Sequence, residues 1–294
     1  LPFHQFAAAA AGQQALGTPI NIQPGGAYWE YPEDIQIFGL TAATNLFGWS
    51  VSAEASFQKD VPVQINGNDL LLGGLALVGP AGPGSVDSYL DGTGGYVQGY
   101  DTFDKKQFQV NTVKTLSNVL GADNLLFIGE IGMQWNDIPD YKKNGNVRYG
   151  RGFMWGYGSN ESWRTATGPM PDTCTVFGNY SAGGSLYNPS SRGCKNDGYV
   201  TDNAWGYRLR VSADYLNVVD SGITVTPSVF WSQDVDGVSM DPAFIEDRSV
   251  LGLGLKFTYN KAYVFDLNWV QYADNGYDPL QDRDYYSASF SVTF

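Results

Sequence analysis

Charged side chains carry whatever chemistry this chain performs, and they are sparse: 16% of 294 residues, with a formal net charge of -13 and one histidine, His4. Hydrolysis or group transfer needs a nucleophile beside a base, or a metal held by several ligands. His4 stands in L-P-F-H-Q-F ahead of an Ala run, within a segment broken by Gly and Pro, and reads as a solvated terminal residue. A Ser-His arrangement therefore lacks its base, no carboxylate pair stands out, and the chain reads as a protein that is not an enzyme. Two acidic clusters, Asp234, Asp236 and Asp241, and Asp274, Asp278, Asp282 and Asp284, offer oxygen ligands of the kind Ca²⁺ takes. Their spacing departs from the EF-hand pattern, and solvated loop acidity is the competing reading. Cys174 and Cys194, the only cysteines, lie in a Gly/Asn/Ser-rich stretch. A disulfide stapling that loop is expected, which implies an oxidising compartment. A sequence pI of about 4.3 argues against a nucleic-acid partner, which needs a basic surface.

The remaining charges acquire meaning only through the elements that position them. Side chains alternate faces along a strand, and repeated stretches obey that period. Trp49, Val51, Ala53, Ala55 and Phe57 oppose Ser50, Ser52, Glu54, Ser56 and Gln58. Phe108 and Val110 oppose Gln107, Gln109 and Asn111; Leu125, Phe127, Gly129, Ile131, Met133 and Trp135 oppose Ile128, Glu130 and Gln134. Trp205, Tyr207, Leu209, Val211, Ala213 and Tyr215 oppose Arg208, Arg210, Ser212 and Asp214. Ile223 to Trp231 follow the same rule, although Pro227 marks an edge or bulge. Leu251, Leu253, Leu255, Phe257 and Tyr259 oppose Lys256; Tyr263, Phe265, Leu267 and Trp269 oppose Asp266 and Asn268. With a strand begun near Ile35 and a last one near the C-terminus, about nine strands result.

No apolar run approaches the roughly 18 residues a membrane-crossing helix needs. Membrane residence would therefore demand a closed barrel, because unpaired backbone groups are too costly in lipid. The connections alternate short and long, which fits short periplasmic turns and long extracellular loops at 59–104, 136–202, 233–247 and 271–284. Residues 1–34 form an extracellular loop or N-terminal segment, and 35–294 the strands. Trp49, Tyr215, Tyr259 and Tyr263 stand by the short turns; Trp135, Trp205 and Trp231 by the long loops, with Trp269 also in the girdle set. Two aromatic girdles around an aliphatic band are what lipid interfaces select. The expected fold is thus an all-β, transmembrane antiparallel barrel of outer-membrane type.

The final residues, Y-Y-S-A-S-F-S-V-T-F, put Tyr286, Ala288, Phe290, Val292 and Phe294 on one face and small polar residues on the other. This resembles the C-terminal signature of bacterial outer-membrane barrels, in which the segment closes the barrel and is read by the assembly machinery. Tyr286, Phe290, Val292 and Phe294 would carry that signal. The stretches D-I-Q-I-F-G-L-T-A-A-T-N-L-F-G-W-S-V-S-A-E-A-S-F, N-L-L-F-I-G-E-I-G and R-L-R-V-S-A-D-Y resemble a Gram-negative outer-membrane family known as a domain of unknown function, itself similar to long-chain fatty-acid transporter barrels. The resemblance implies an outer-membrane location, membrane lipid and the barrel assembly machinery as partners, and transport of small hydrophobic or lipid-like molecules. An adhesive or structural barrel using its stapled loop, and a water-filled porin, are the alternatives.

Two sets of residues bear on transport. Glu54, Glu130, Arg208, Arg210, Asp214, Lys256, Asp266 and Asn268 share the polar face, where they either tune a channel or knit a closed interior. Leu70, Leu71, Leu72, Leu75, Leu77 and Val78 form either a hydrophobic capture site or a helix folded over the barrel as a plug. Nine strands is odd, and the first would descend from the outer side. The chain is accordingly expected to be the C-terminal part of a larger barrel, completed by earlier strands or by another chain. One unrecognised strand within 1–34 would instead make ten.

Overall fold

The computed structural model describes residues 29–74, 98–143, 147–155, 160–165, 168–170, 195–273 and 276–293. Nine strands form one antiparallel sheet in sequence order. They are β1 (Gln36–Leu46), β2 (Trp49–Gln64), β3 (Tyr100–Val119), β4 (Ala122–Asn136), β7 (Asn203–Asp214), β8 (Ile223–Asp236), β9 (Ser249–Tyr259), β10 (Tyr263–Tyr272) and β11 (Tyr285–Val292). A separate hairpin of β5 (Asn160–Thr165) and β6 (Gly168–Met170) lies between β4 and β7, and a helix α1 (Gly67–Gly74) follows β2. The all-β expectation holds at that level.

Turn chemistry explains the pairing. The β1–β2, β3–β4 and β9–β10 hairpins turn on successive left-handed residues: Phe47 and Gly48, Leu120 and Gly121, Asn260 and Lys261. Two consecutive positive-φ residues match the right-handed twist of flanking strands and permit tight loops, of two residues in the first two hairpins and three (260–262) in the third. These turns, with 215–222, occupy one end of the sheet; connections 65–99, 137–202, 237–248 and 273–284 occupy the other. Pro227 lies inside β8, and the β7 ladder breaks off beside it, from Ser212↔Ser228 to an isolated bridge at Tyr215↔Val225. The missing proline N–H therefore falls where no ladder bond is made.

The sequence reading placed 59–104 in a loop. β2 instead continues to Gln64 and β3 begins at Tyr100, with a register shift between Gln58 and Val61. Asp60 takes a left-handed φ of 57° there. The bulge inserts an unpaired residue and shifts the alternation, which hides the strand from a period-two search.

The sheet is strongly staggered. The row of paired residues starting at Asn45, beside the β1–β2 turn, runs through Ser50, Val113, Ile128, Arg210, Phe230, Gly252 and Val270 to Tyr285. Asn45 is at the short-turn end of its strand and Tyr285 at the long-loop end of β11. Such a climb is the shear that tilted barrel strands require. Yet β1 pairs only with β2, and β11 only with β10, so among the described residues the sheet is open and these strands by themselves do not close a barrel. The reason is directional. β1 and β11 both run from the long-loop end to the short-turn end, so they cannot meet as an antiparallel pair.

Candidate functional site

The two faces of this sheet have opposite fates. Registered pairs keep one face apolar across all nine strands, from Leu40↔Ala55 through Val110↔Ile131 and Val229↔Leu253 to Leu267↔Ala288. Nothing in the described chain covers it: Leu40 is 75% exposed, Leu253 42% and Leu267 39%. The aromatic residues named from sequence stand on this face at two levels. Trp49, Tyr215, Tyr259 and Tyr263 lie by the short turns, with Tyr259 and Tyr263 paired; Trp135, Trp205, Trp231 and Trp269 lie toward the long loops. Trp269 stacks on Tyr286, and Tyr263 on Phe290, which with Val292 continue the face on β11. Phe294 lies outside the described residues.

The residues assigned to the polar face from sequence, Glu54, Glu130, Arg208, Arg210, Asp214, Lys256, Asp266 and Asn268, fall on the other face. Glu130 pairs in register with Arg208 and accepts a 2.9 Å hydrogen bond from its Nη1. Asp214 accepts from the Thr226 hydroxyl at 2.6 Å, and Glu54 from the Gln109 amide at 3.4 Å. Lys256 stands opposite Asp266 in register, and Asn268 opposite Gly254. Arg210, between Ile128 and Phe230 in register, has no ion-pair partner among the described residues. This face is therefore neither a fully knitted network nor uniformly polar: Val113, Ile128 and Phe230 form an apolar row beside the Glu130–Arg208 row.

Toward the long-loop end this polar face is covered. Gln134 and Lys105 are 2% and 6% exposed, although both stand on the face that is open further down. The cover is the 237–248 connection, which folds back over the sheet. Asp241 accepts hydrogen bonds from Lys105 Nζ at 2.6 Å and from the Gln134 amide at 3.1 and 3.2 Å. Burial pushes the Asp241 carboxyl upward, but the Lys105 ammonium, the Gln134 amide and the Ala243 N–H outweigh it and hold the group below its ordinary value. Phe244 packs its ring against Gly132, where a Cβ would sit 3.0 Å from the ring edge. Asp234 fixes the other end of the loop by accepting from Arg248 Nε at 2.6 Å and the Ile245 N–H at 3.0 Å. Gly237, with φ +77° and only 2.0 Å between its would-be Cβ and the Asn203 carbonyl oxygen, sets the point where the chain turns inward.

The other long connections complete a cap with its own core of Val63, Ile65, Ile138, Tyr149, Val200 and Val238. Asn66 caps α1, its Oδ1 accepting from the N–H groups of Asn68 and Asp69 at 3.1 Å each. Asp69 then accepts from Arg148 Nε at 2.8 Å and Nη2 at 2.5 Å, a fork between side chains that are 5% and 0% exposed. The Arg148 and Arg151 guanidinium groups lie over the Tyr199 ring at 4.5 and 4.8 Å, and Arg151 also over Tyr277. Burial, with the neighbouring Asp197 carboxylate that Tyr277 hydrogen-bonds, pushes the Tyr277 phenol far above its ordinary value.

Sequence reasoning missed most of this cap, because its partners are far apart in the chain. The pattern Asn66-x-x-Asp69 ahead of the leucines was the one local signal of a helix start. Leu70 packs on the cap core; Leu71 and Leu72 lie within α1, and Leu75, Leu77 and Val78 are outside the described residues. Among the described residues the acidic side chains do not gather as Ca²⁺ ligands. Asp234 and Asp241 hold separate cations, Asp278 accepts from the Leu280 N–H and Asp284 from that of Tyr272. No group of three or more potential metal ligands occurs among the described residues. Asp274, His4, Cys174 and Cys194 lie outside them, so the expected disulfide does too.

The chain belongs to the family described as protein of unknown function (DUF1302), whose model matches residues 2–294. No curated protein and no solved structure matches it, so nothing supports the expected likeness to fatty-acid transporters.

Proposed function

We propose that this chain forms the wall of a Gram-negative outer-membrane β-barrel that conducts small amphipathic molecules, with the polar face as lining and the long-loop cap as its gate. The observation that carries the reading is the sidedness of the cover. A soluble sheet hides its apolar face and leaves the polar one wet. Here the loops bury part of the polar face and leave the apolar band bare between two aromatic levels, an arrangement suited to lipid outside and a guarded passage inside. The cargo class follows from the lining: Arg210 stands unpaired in the row of Val113, Ile128 and Phe230, which suits an apolar body carrying an acidic group.

The test is flux through the protein extracted from its membrane and reconstituted in lipid vesicles. Wild type should pass a medium-chain carboxylate slowly, and Lys105→Ala, which releases Asp241 and the inward loop, about tenfold faster. Arg210→Ala should slow the carboxylate while sparing a neutral solute of equal size. Membrane insertion without flux in any variant would refute the conduit. It would favour a surface-adhesive barrel, to which the packed outer cap also lends itself.

A further inference from the structure

We infer that Lys59 and Lys106 hold the phosphate headgroup of an outer-leaflet lipid, whose acyl chain lies in a furrow of the apolar face along β2. This rests on the barrel reading above and goes beyond it by giving one lipid a fixed seat on the wall.

The two cations stand on the face that is otherwise apolar. On β3 its positions run Lys106, Phe108, Val110, Thr112 and Lys114, so an apolar stretch ends in an ammonium at each aromatic level. Lys106 is exposed and lies in register between Phe57 and Trp135, toward the long loops. Lys114, toward the short turns, is already engaged. Its Nζ donates to the Phe47 carbonyl oxygen at 3.1 Å and lies 5.7 Å from the centre of the Trp49 ring.

Lys59 reaches the same level as Lys106 by way of the bulge. It follows Ala55 and Phe57 on their face, pairs with Gln36 of β1, and sits at the register shift between Gln58 and Val61. Bulges re-aim side chains in this way. Because Lys106 stands opposite Phe57, Lys59 is its diagonal neighbour, at a spacing of about 7–8 Å. Two flexible four-carbon stems close that gap on one phosphate, which lysine binds as a point charge. Asp60 lies 3.7 Å from the Lys59 ammonium, but the two side chains are 51% and 55% exposed, and such a pair contributes little. Asp104, the next residue on this face of β3, is nearer the long loops than Lys106. A headgroup rising from the lipid side therefore meets the ammonium groups first.

Below the lysines the register leaves room for a chain. Ala55 lies between Leu40 of β1 and Phe108 of β3, and Ala53 between Ala42 and Val110. Two small residues in succession on β2 thus form a furrow with Leu40 and Phe108 as its walls. Phe57, stacked on Phe38 with ring centroids 6.4 Å apart, makes the step from furrow to headgroup.

The test is native mass spectrometry of the protein extracted from its membrane in neutral detergent. It is titrated with lipid A, a bisphosphorylated glycolipid, and with the same lipid stripped of phosphate. One copy of lipid A should be retained in preference to the stripped form. Lys59→Gln with Lys106→Gln should weaken retention about thirtyfold, at roughly fivefold per lysine near a phosphate surface. Lys59→Arg with Lys106→Arg, and Lys114→Gln, should keep it. Equal retention of the stripped lipid, or no change in the double Gln variant, would overturn the inference while leaving the barrel standing. Displacement by inorganic phosphate would overturn it too, by making the site one for the free ion. A particle that stays in solution without detergent would instead remove the barrel reading itself.

Discussion

The two ends of this sheet are built by different physics. At the short-turn end, connections of two to eight residues close the strands and Ala122 is the one fully buried hydrophobic residue among those described. At the long-loop end lie the rest of the buried hydrophobics, the Asp69–Arg148 fork, the Asp234–Arg248 pair and the Lys105–Asp241 latch. The cap is assembled like a soluble domain, with its own core and a buried Asp69–Arg148 ion pair. The wall has no core of its own, and its apolar side chains depend on whatever medium surrounds them. Stability should then divide along this line, so that a lesion in one region leaves the other folded.

The largest effect is expected from Arg148→Ala. It strands Asp69 in a site where both partners are almost fully buried, at a cost of about 3–5 kcal/mol. Hydrogen exchange at Tyr149 and Val200 should speed up by two orders of magnitude or more, with β9 and β10 amides unchanged. Equal acceleration in both regions would show a single cooperative unit. Leu267→Arg tests the wall. In the proposed barrel this face would meet lipid, where a cation at mid-band costs about 2–4 kcal/mol, so refolding titrations into lipid should shift by that amount while cap exchange stays fixed. The smallest effect concerns acid. Asp241 titrates below its ordinary 3.8 in the folded protein, so its carboxylate stabilises the cap at every pH above that value. The contribution is lost only as pH falls through the lowered folded pKa. Flux should be level from about pH 8 to about pH 5 and rise only below about pH 4; a rise near neutrality would put the gate elsewhere.

How much of this the sequence disclosed follows from the range of the interactions. Alternation is local, and it placed Glu54, Glu130, Arg208, Arg210, Asp214, Lys256, Asp266 and Asn268 on one face and the girdle residues on the other, as the registers have them. The bulge at Asp60 broke the period and concealed the ends of β2 and β3. Asp241 was legible as an acidic loop residue, but its partner Lys105 lies 136 positions away, and no spacing rule joins them. Tyr199, wholly buried beneath two guanidinium groups, sits in a stretch with no periodicity at all.

The joint between β4 and β7 has a consequence for assembly. Every other neighbouring pair in the sheet is linked by a shorter stretch of chain, whereas this one encloses 137–202. Loop-closure entropy makes that junction about 3 kcal/mol dearer to zip than a two-residue hairpin. The joint is therefore expected to close last, with β1 to β4 and β7 to β11 already paired as two halves on either side of it. Glu130–Arg208, the one ion pair bridging neighbouring strands below the cap among the described residues, spans that same joint. Its charges lie where they can select the correct docking of the two halves.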